Sequence, residues 1–90
     1  MTEEDMTRFR GLVLQAMSAA GGTMRLGDLV RKVAEVGGWA RYNDRQSAFV
    51  VAARRSLEAD GTLQVWRDLN ERNHPEMVTL VEQGSGPWLR

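Results

Sequence analysis

Ninety residues, 42% of them apolar and 27% charged, make one domain with a modest core and too little chain for two. Net charge is zero and cysteine is absent, which excludes disulfides and thiolate metal sites and argues mildly against a polyanion partner. No apolar run approaches the roughly 20 residues of a membrane span, and no basic-then-apolar leader opens the chain, so a cytoplasmic protein without a membrane partner is expected.

Thr2, followed by Glu3, Glu4 and Asp5, is a helix start: the hydroxyl caps free amides, and the acids meet the positive end of the helix dipole. Met6, Phe9, Leu12, Val13, Ala16, Met17 and Ala20 then recur at spacings of three and four, predicting a helix over Thr2 to Ala20. Leu14 lies off that stripe and is read as an extension of the core rather than a dimer seam. Gly21 and Gly22 stop the helix.

Thr23 to Arg25 is short and extended in character. A second helix over about Leu26 to Val36 carries Leu26, Leu29, Val30, Val33 and Val36 on one side, with Asp28, Arg31, Lys32 and Glu35 on the other. The following GGWARYN segment, Gly37 to Asn43, is longer than the three- or four-residue turn of a minimal helix-turn-helix. Trp39 is expected to anchor this loop to the core because an aromatic buries so much area; the sharper alternative gives Trp39 or Tyr42 to a ligand.

Asn43 or Asp44 caps the third helix. Phe49, Val50, Ala53 and Leu57, with Gln46 as a doubtful member, follow its buried stripe, while Ser47, Val51, Arg54, Arg55 and Glu58 lie outwards. Gly61 turns the chain into a strand, TLQVWRDL. There Leu63 and Val65, with Leu69 as a candidate third, share a face opposite Thr62, Gln64, Trp66 and Asp68. A polar tip, about Asn70 to Glu76, leads to MVTLVE, whose residues alternate likewise. In the tail, Trp88 and Leu89 either fold back on the sheet or meet another subunit.

The charge is unevenly placed. Residues 25–55 carry Arg25, Arg31, Lys32, Arg41, Arg45, Arg54 and Arg55 against Asp28, Glu35 and Asp44, a surplus of four positive charges. The flanking segments are net acidic, so a basic helix pair sits within a neutral chain, and the local field governs a polyanion's approach to one face. Catalytic and metal chemistry find little support. There is no phosphate loop with a lysine, and His74 stands alone without the further ligands zinc needs. Neither an enzyme nor a cofactor is expected.

The order helix–helix–helix–hairpin, and above all the phrase LEADGTLQV from Leu57 to Val65, resembles the winged helix-turn-helix superfamily of small bacterial or phage regulators. The resemblance spans most of the chain and implies an α+β fold, a three-helix bundle with a C-terminal two-stranded β-hairpin wing. It places the domain at residues 1–83 and the tail at 84–90, with a stub strand near Thr23 to Arg25 paired to the hairpin. It implies double-stranded DNA as the partner, the helix at about residues 44–60 reading the major groove. Arg45, Gln46 and Ser47 would then face base edges, and Arg31, Lys32, Arg41, Arg54 and Arg55 would hold phosphates. Asn70, Arg72 and Asn73 would be the wing's contribution, although Asp68, Glu71 and Glu76 crowd the same hairpin and should repel phosphate. The family commonly acts as dimers. The alternative is the same fold used as a protein–protein interaction module, since fold alone does not determine function.

Overall fold

The computed structural model describes residues 2–81. Helix α1 (Glu3–Ala19) is followed by strand β1 (Thr23–Arg25), a 3₁₀ turn (Leu26–Asp28) and helix α2 (Leu29–Gly37). Helix α3 (Asp44–Ala59) then leads to strands β2 (Leu63–Arg67) and β3 (Glu76–Leu80). The architecture is therefore α+β, three helices against a three-stranded antiparallel sheet ordered β1-β3-β2. The tail with Trp88 and Leu89 lies outside the described residues.

Local chemistry accounts for the helix boundaries. Thr2 and Asp5 form a reciprocal capping box, the Asp5 amide donating to Thr2 Oγ1 at 3.1 Å and the Thr2 amide to Asp5 Oδ2 at 3.3 Å. At the far end of α3, Gly61 takes φ +82°, which lets the Thr62 amide reach back to the Leu57 carbonyl at 2.9 Å. That 6→1 bond satisfies a carbonyl the helix leaves orphaned and turns the chain straight into β2. Gly38 ends α2 in the same manner, with the Trp39 amide donating to Ala34. The second helix starts later than its apolar spacing suggests, because residues 26–28 wind as a 3₁₀ turn ahead of it.

The sheet differs from a simple two-stranded hairpin. Thr23, Met24 and Arg25 pair with Thr79, Val78 and Met77, which makes β3 the central strand. The Leu80 amide donates to the Gly22 carbonyl at 2.7 Å, extending that pairing to the end of α1. Alternation along the strands sends Val78, Leu63, Val65, Leu80 and Met24 towards the helices. The outward side carries Trp66, whose indole N–H donates to Thr79 Oγ1 at 2.8 Å, and Thr79 in turn shares a hydrogen bond with Thr23. Leu69 is not on the inner side. It falls beyond the strand, in the turn, and is 69% exposed.

α1 is the platform. Its Phe9, Val13, Ala16 and Met17 are buried against Leu29 and Val33 of α2, Val50, Ala53 and Leu57 of α3, and Leu63 and Val78 of the sheet. Leu14 packs at the margin of this core, as do Phe49 and Trp39. Phe9 is 4% exposed, edge-on to Phe49 at 5.2 Å and tilted against Trp39 at 5.7 Å. Trp39 thus anchors the α2–α3 loop on α1.

A polar clamp joins the same two helices. Arg10 donates to Ser56 Oγ at 2.6 Å and to Asp60 Oδ2 at 2.7 Å. The Thr62 hydroxyl, and after it the Arg10 guanidinium, hold the Asp60 carboxyl below its usual range.

Two outcomes follow from this packing. Phe9→Ala should cost about 3–5 kcal/mol in urea unfolding, because it removes the ring on which both Trp39 and Phe49 rest. Arg10→Ala should destabilise the fold at neutral pH, with a shortfall that shrinks in acid. A carboxyl with a depressed folded-state pKa stabilises the fold above its unfolded value near 3.8, and that contribution goes as pH falls through the lower folded value. Thermal melts of both chains from pH 7 to below pH 3.8 should therefore draw closer, the remaining gap being that of the Arg10–Ser56 hydrogen bond, which does not titrate.

Candidate nucleic-acid interface

The start of α3 is built by a second capping box. Asn43 Oδ1 accepts from the Gln46 amide at 2.8 Å, and Gln46 Oε1 accepts from the Asn43 amide at 3.0 Å. Of the two cap candidates, Asn43 is the one used. This arrangement bears directly on Gln46 as a base reader. A bidentate contact to adenine needs the side-chain oxygen and nitrogen together, and here the oxygen is held by the helix's own first turn. Ser47 is half-buried beside it. Arg45 is exposed, its guanidinium over the Phe49 ring at 5.4 Å. It also lies near enough to Asp5 to help depress that carboxyl, after the larger effect of the Thr2 backbone and hydroxyl hydrogen bonds.

The basic residues separate into two groups. Arg54 bonds Glu58 one turn on, and its side chain is only 15% exposed. Arg31 pairs with Asp28 at 3.1 Å, and Lys32 lies 3.8 Å from Glu35. Arg41 and Arg55 are exposed and make no ion pair among the described residues. Arg54 thus stands apart from the other phosphate candidates, half sunk and neutralised by its neighbour. The Arg31 and Lys32 pairs sit at the surface, where such contacts are worth little and can exchange for another anion.

After Asp44, the exposed positions of α3 are Arg45, Ala48, Arg55 and Ala59. Two cations and two methyl groups, with the Asp44 carboxylate of the first turn, form the solvent face of the helix. At 1.5 Å per residue the two arginines are spaced about 15 Å along the axis. The alanines are the part of this surface that charge counting overlooks. Their spacing opposite Val50, Ala53 and Leu57 is the signal that places them outside.

At the hairpin tip, Asn70, Arg72 and Asn73 are exposed. The neighbouring acids are engaged within the protein. Glu71 pairs with Arg25 of β1 at 2.8 Å, Glu76 lies 3.5 Å from Arg67, and Asp68 accepts the Asn70 amide at 3.0 Å. Arg67 also donates to the His74 carbonyl, and His74 itself takes φ +45°, an uncommon backbone state outside glycine. Arg72 has no carboxylate partner among the described residues. The repulsion that the acids would exert on a phosphate is thereby reduced, and Arg25 enters as a residue that orders the tip.

Among the described residues, no three His, Cys, Asp or Glu side chains come together as a metal site, and no helix is long and apolar enough to cross a membrane. No protein-family model matches the chain, and no curated protein matches it.

Gln46→Ala separates the cap from base reading. With the amide oxygen committed to the Asn43 amide, the substitution should cost roughly 0.5–1 kcal/mol of thermal stability, the scale of a lost cap. Base preference in a duplex-binding selection should stay the same.

Proposed function

We propose that the chain is a winged helix-turn-helix DNA-binding protein, a small cytoplasmic transcriptional regulator of bacterial or phage type that reads the major groove with α3. The observation that carries this reading is the solvent face of α3, where every exposed residue after Asp44 is an arginine or an alanine. A major groove about 12 Å wide admits one helix, arginine pairs with guanine edges, and an alanine methyl meets the thymine methyl. Ala48, a small side chain between the two long cations, and Ala59 beyond them let the helix axis come close to the base edges. On this reading Arg45 leads the base contacts, with Arg55 of α3, Arg41 from the loop and Arg72 from the hairpin tip on phosphates. Arg31 and Lys32 exchange their surface partners for phosphate, and Arg54 serves the helix rather than the ligand.

A second reading, a protein-contact module of the same fold, draws on the apolar side chains outside the core. Leu69 and Trp66 of the hairpin and Tyr42 of the loop are all exposed. Salt distinguishes the two. Duplex binding falls steeply with ionic strength, with a log–log slope near −0.9 per phosphate neutralised, whereas an apolar contact changes little.

Anisotropy titrations of a random duplex at several ionic strengths test the assignment. Arg55→Ala should flatten the salt slope by about 0.9 and weaken binding to all duplexes alike. Arg54→Ala should leave the slope as it is and lower thermal stability instead. Absence of duplex binding at low salt, or equal slopes for wild type and Arg55→Ala, would overturn the reading.

A further inference from the structure

A cleft of about 460 Å³ opens between α2 and the loop that leads into α3. Its first wall is Arg31, Ala34 and Glu35, which helical spacing places on one face of α2. Its second wall is Trp39, Arg41 and Tyr42. The volume falls within the range of small-ligand sites.

The two walls offer different chemistry. Trp39 is held in place from behind by Phe9, so its ring is a rigid surface. Tyr42 is 46% exposed and is not among the side chains packed on the core, so its ring contributes little to the fold. Arg41 has no ion pair among the described residues, and Arg31, whose side chain is 70% exposed, is held by Asp28 alone. Glu35 adds one carboxylate, also exposed, with Lys32 a loose 3.8 Å away.

Together these features call for a ligand with three parts. Two arginines require an anion, the rings require a flat apolar partner, and Glu35 requires a hydrogen-bond donor. A bare anion would leave the rings unused and would be repelled by Glu35. An apolar molecule would leave Arg41 unanswered.

We infer that this cleft binds a nucleotide. The base lies against Tyr42 beside Trp39, the phosphate is held by Arg41 and Arg31, and an exocyclic amine donates to Glu35. Base–aromatic stacking is worth roughly 5- to 150-fold in affinity and tolerates any base, because each presents a flat face. A free nucleotide and the unstacked end of a strand share this chemistry. The inference goes beyond duplex reading and stands without it, since the cleft lies outside the exposed face of α3. Arg41 and Arg31 are common to both, so a bound nucleotide and a duplex compete for those two residues.

The test is a titration of the ¹⁵N-labelled full chain with AMP, without duplex, followed by the indole N–H signals of Trp39 and Trp66. The Trp39 signal should shift and saturate, with half-saturation below about 1 mM, which is weak binding on the usual scale. Trp66, on the sheet, should stay still. Adenosine and inorganic phosphate should each bind about tenfold more weakly or less, because each lacks one half of the recognised pair. Tyr42→Ala and Arg41→Ala should each weaken AMP binding by about tenfold, with unchanged circular dichroism, since both side chains lie at the surface. A five-nucleotide oligo(dA) strand that binds more tightly than AMP identifies a strand as the source, and a weaker one identifies the free nucleotide. The inference is overturned if AMP moves nothing at about ten times that half-saturation concentration, if Tyr42→Ala binds AMP as wild type does, or if phosphate alone reproduces the shift. A negative result leaves duplex binding untouched, and a failure of duplex binding leaves this titration interpretable.

Discussion

Phe9 packs against both Phe49 and Trp39, and the placement of the candidates on α3 and on the loop before it depends on that contact. α1 contributes little to the proposed recognition surface, yet its inner stripe is where α2, α3 and the sheet meet. An edge-to-face aromatic pair contributes beyond its buried area and does so directionally. Phe49 sits in the first half of α3, so its contact with Phe9 sets the roll of that helix. The roll decides which residues look outwards, and hence that arginines 45 and 55 share a face with alanines 48 and 59. Arg10 reinforces the setting from the other end, through Ser56 and Asp60.

The electrostatics follow from the same geometry. A neutral protein with a basic central segment could present a continuous positive ridge, but the molecule divides its cations by partner. Arg54, Arg31 and Lys32 are bound to acids one turn away on their own helices or at their edge, whereas Arg41, Arg55 and Arg72 keep their charge uncompensated. The result is a few separated points of positive charge. Such an array suits an anionic partner whose charges are themselves spaced. It also explains how a chain of zero net charge can have a local surface that is distinctly basic.

Much of this was legible from the residues in order. The helices show themselves through apolar spacing and through Thr2, Asn43 and Gly61, because caps and left-handed turns are local chemistry. The ion pair of Arg54 was also visible in principle, since Glu58 stands four residues on, a spacing at which side chains meet on a helix. What could not be read were contacts made across the chain. Arg10 reaches Asp60 over 50 positions, and Arg25 reaches Glu71 over 46, with nothing in either neighbourhood to announce it. β1 is only three residues long; its pairing with the hairpin is expected from the winged-helix resemblance and not from its own residues. Gln46 fits two roles equally well on paper, and only the direction of its amide oxygen tells them apart.

The hydroxyl relay on the outer side of the sheet has a wider meaning. Trp66 of β2 is tied to Thr79 of β3, and Thr79 to Thr23 of β1, while Arg25 holds the hairpin tip through Glu71. All three strands are thus cross-linked by side chains as well as by backbone, and β1 is continuous with the helices on either side of it. The hairpin is therefore preorganised relative to the helical body, and a partner that touches both would lose less conformational entropy in engaging them. For such a partner, selectivity would come from shape, because a rigid two-point gauge rejects any surface whose contact points are wrongly spaced.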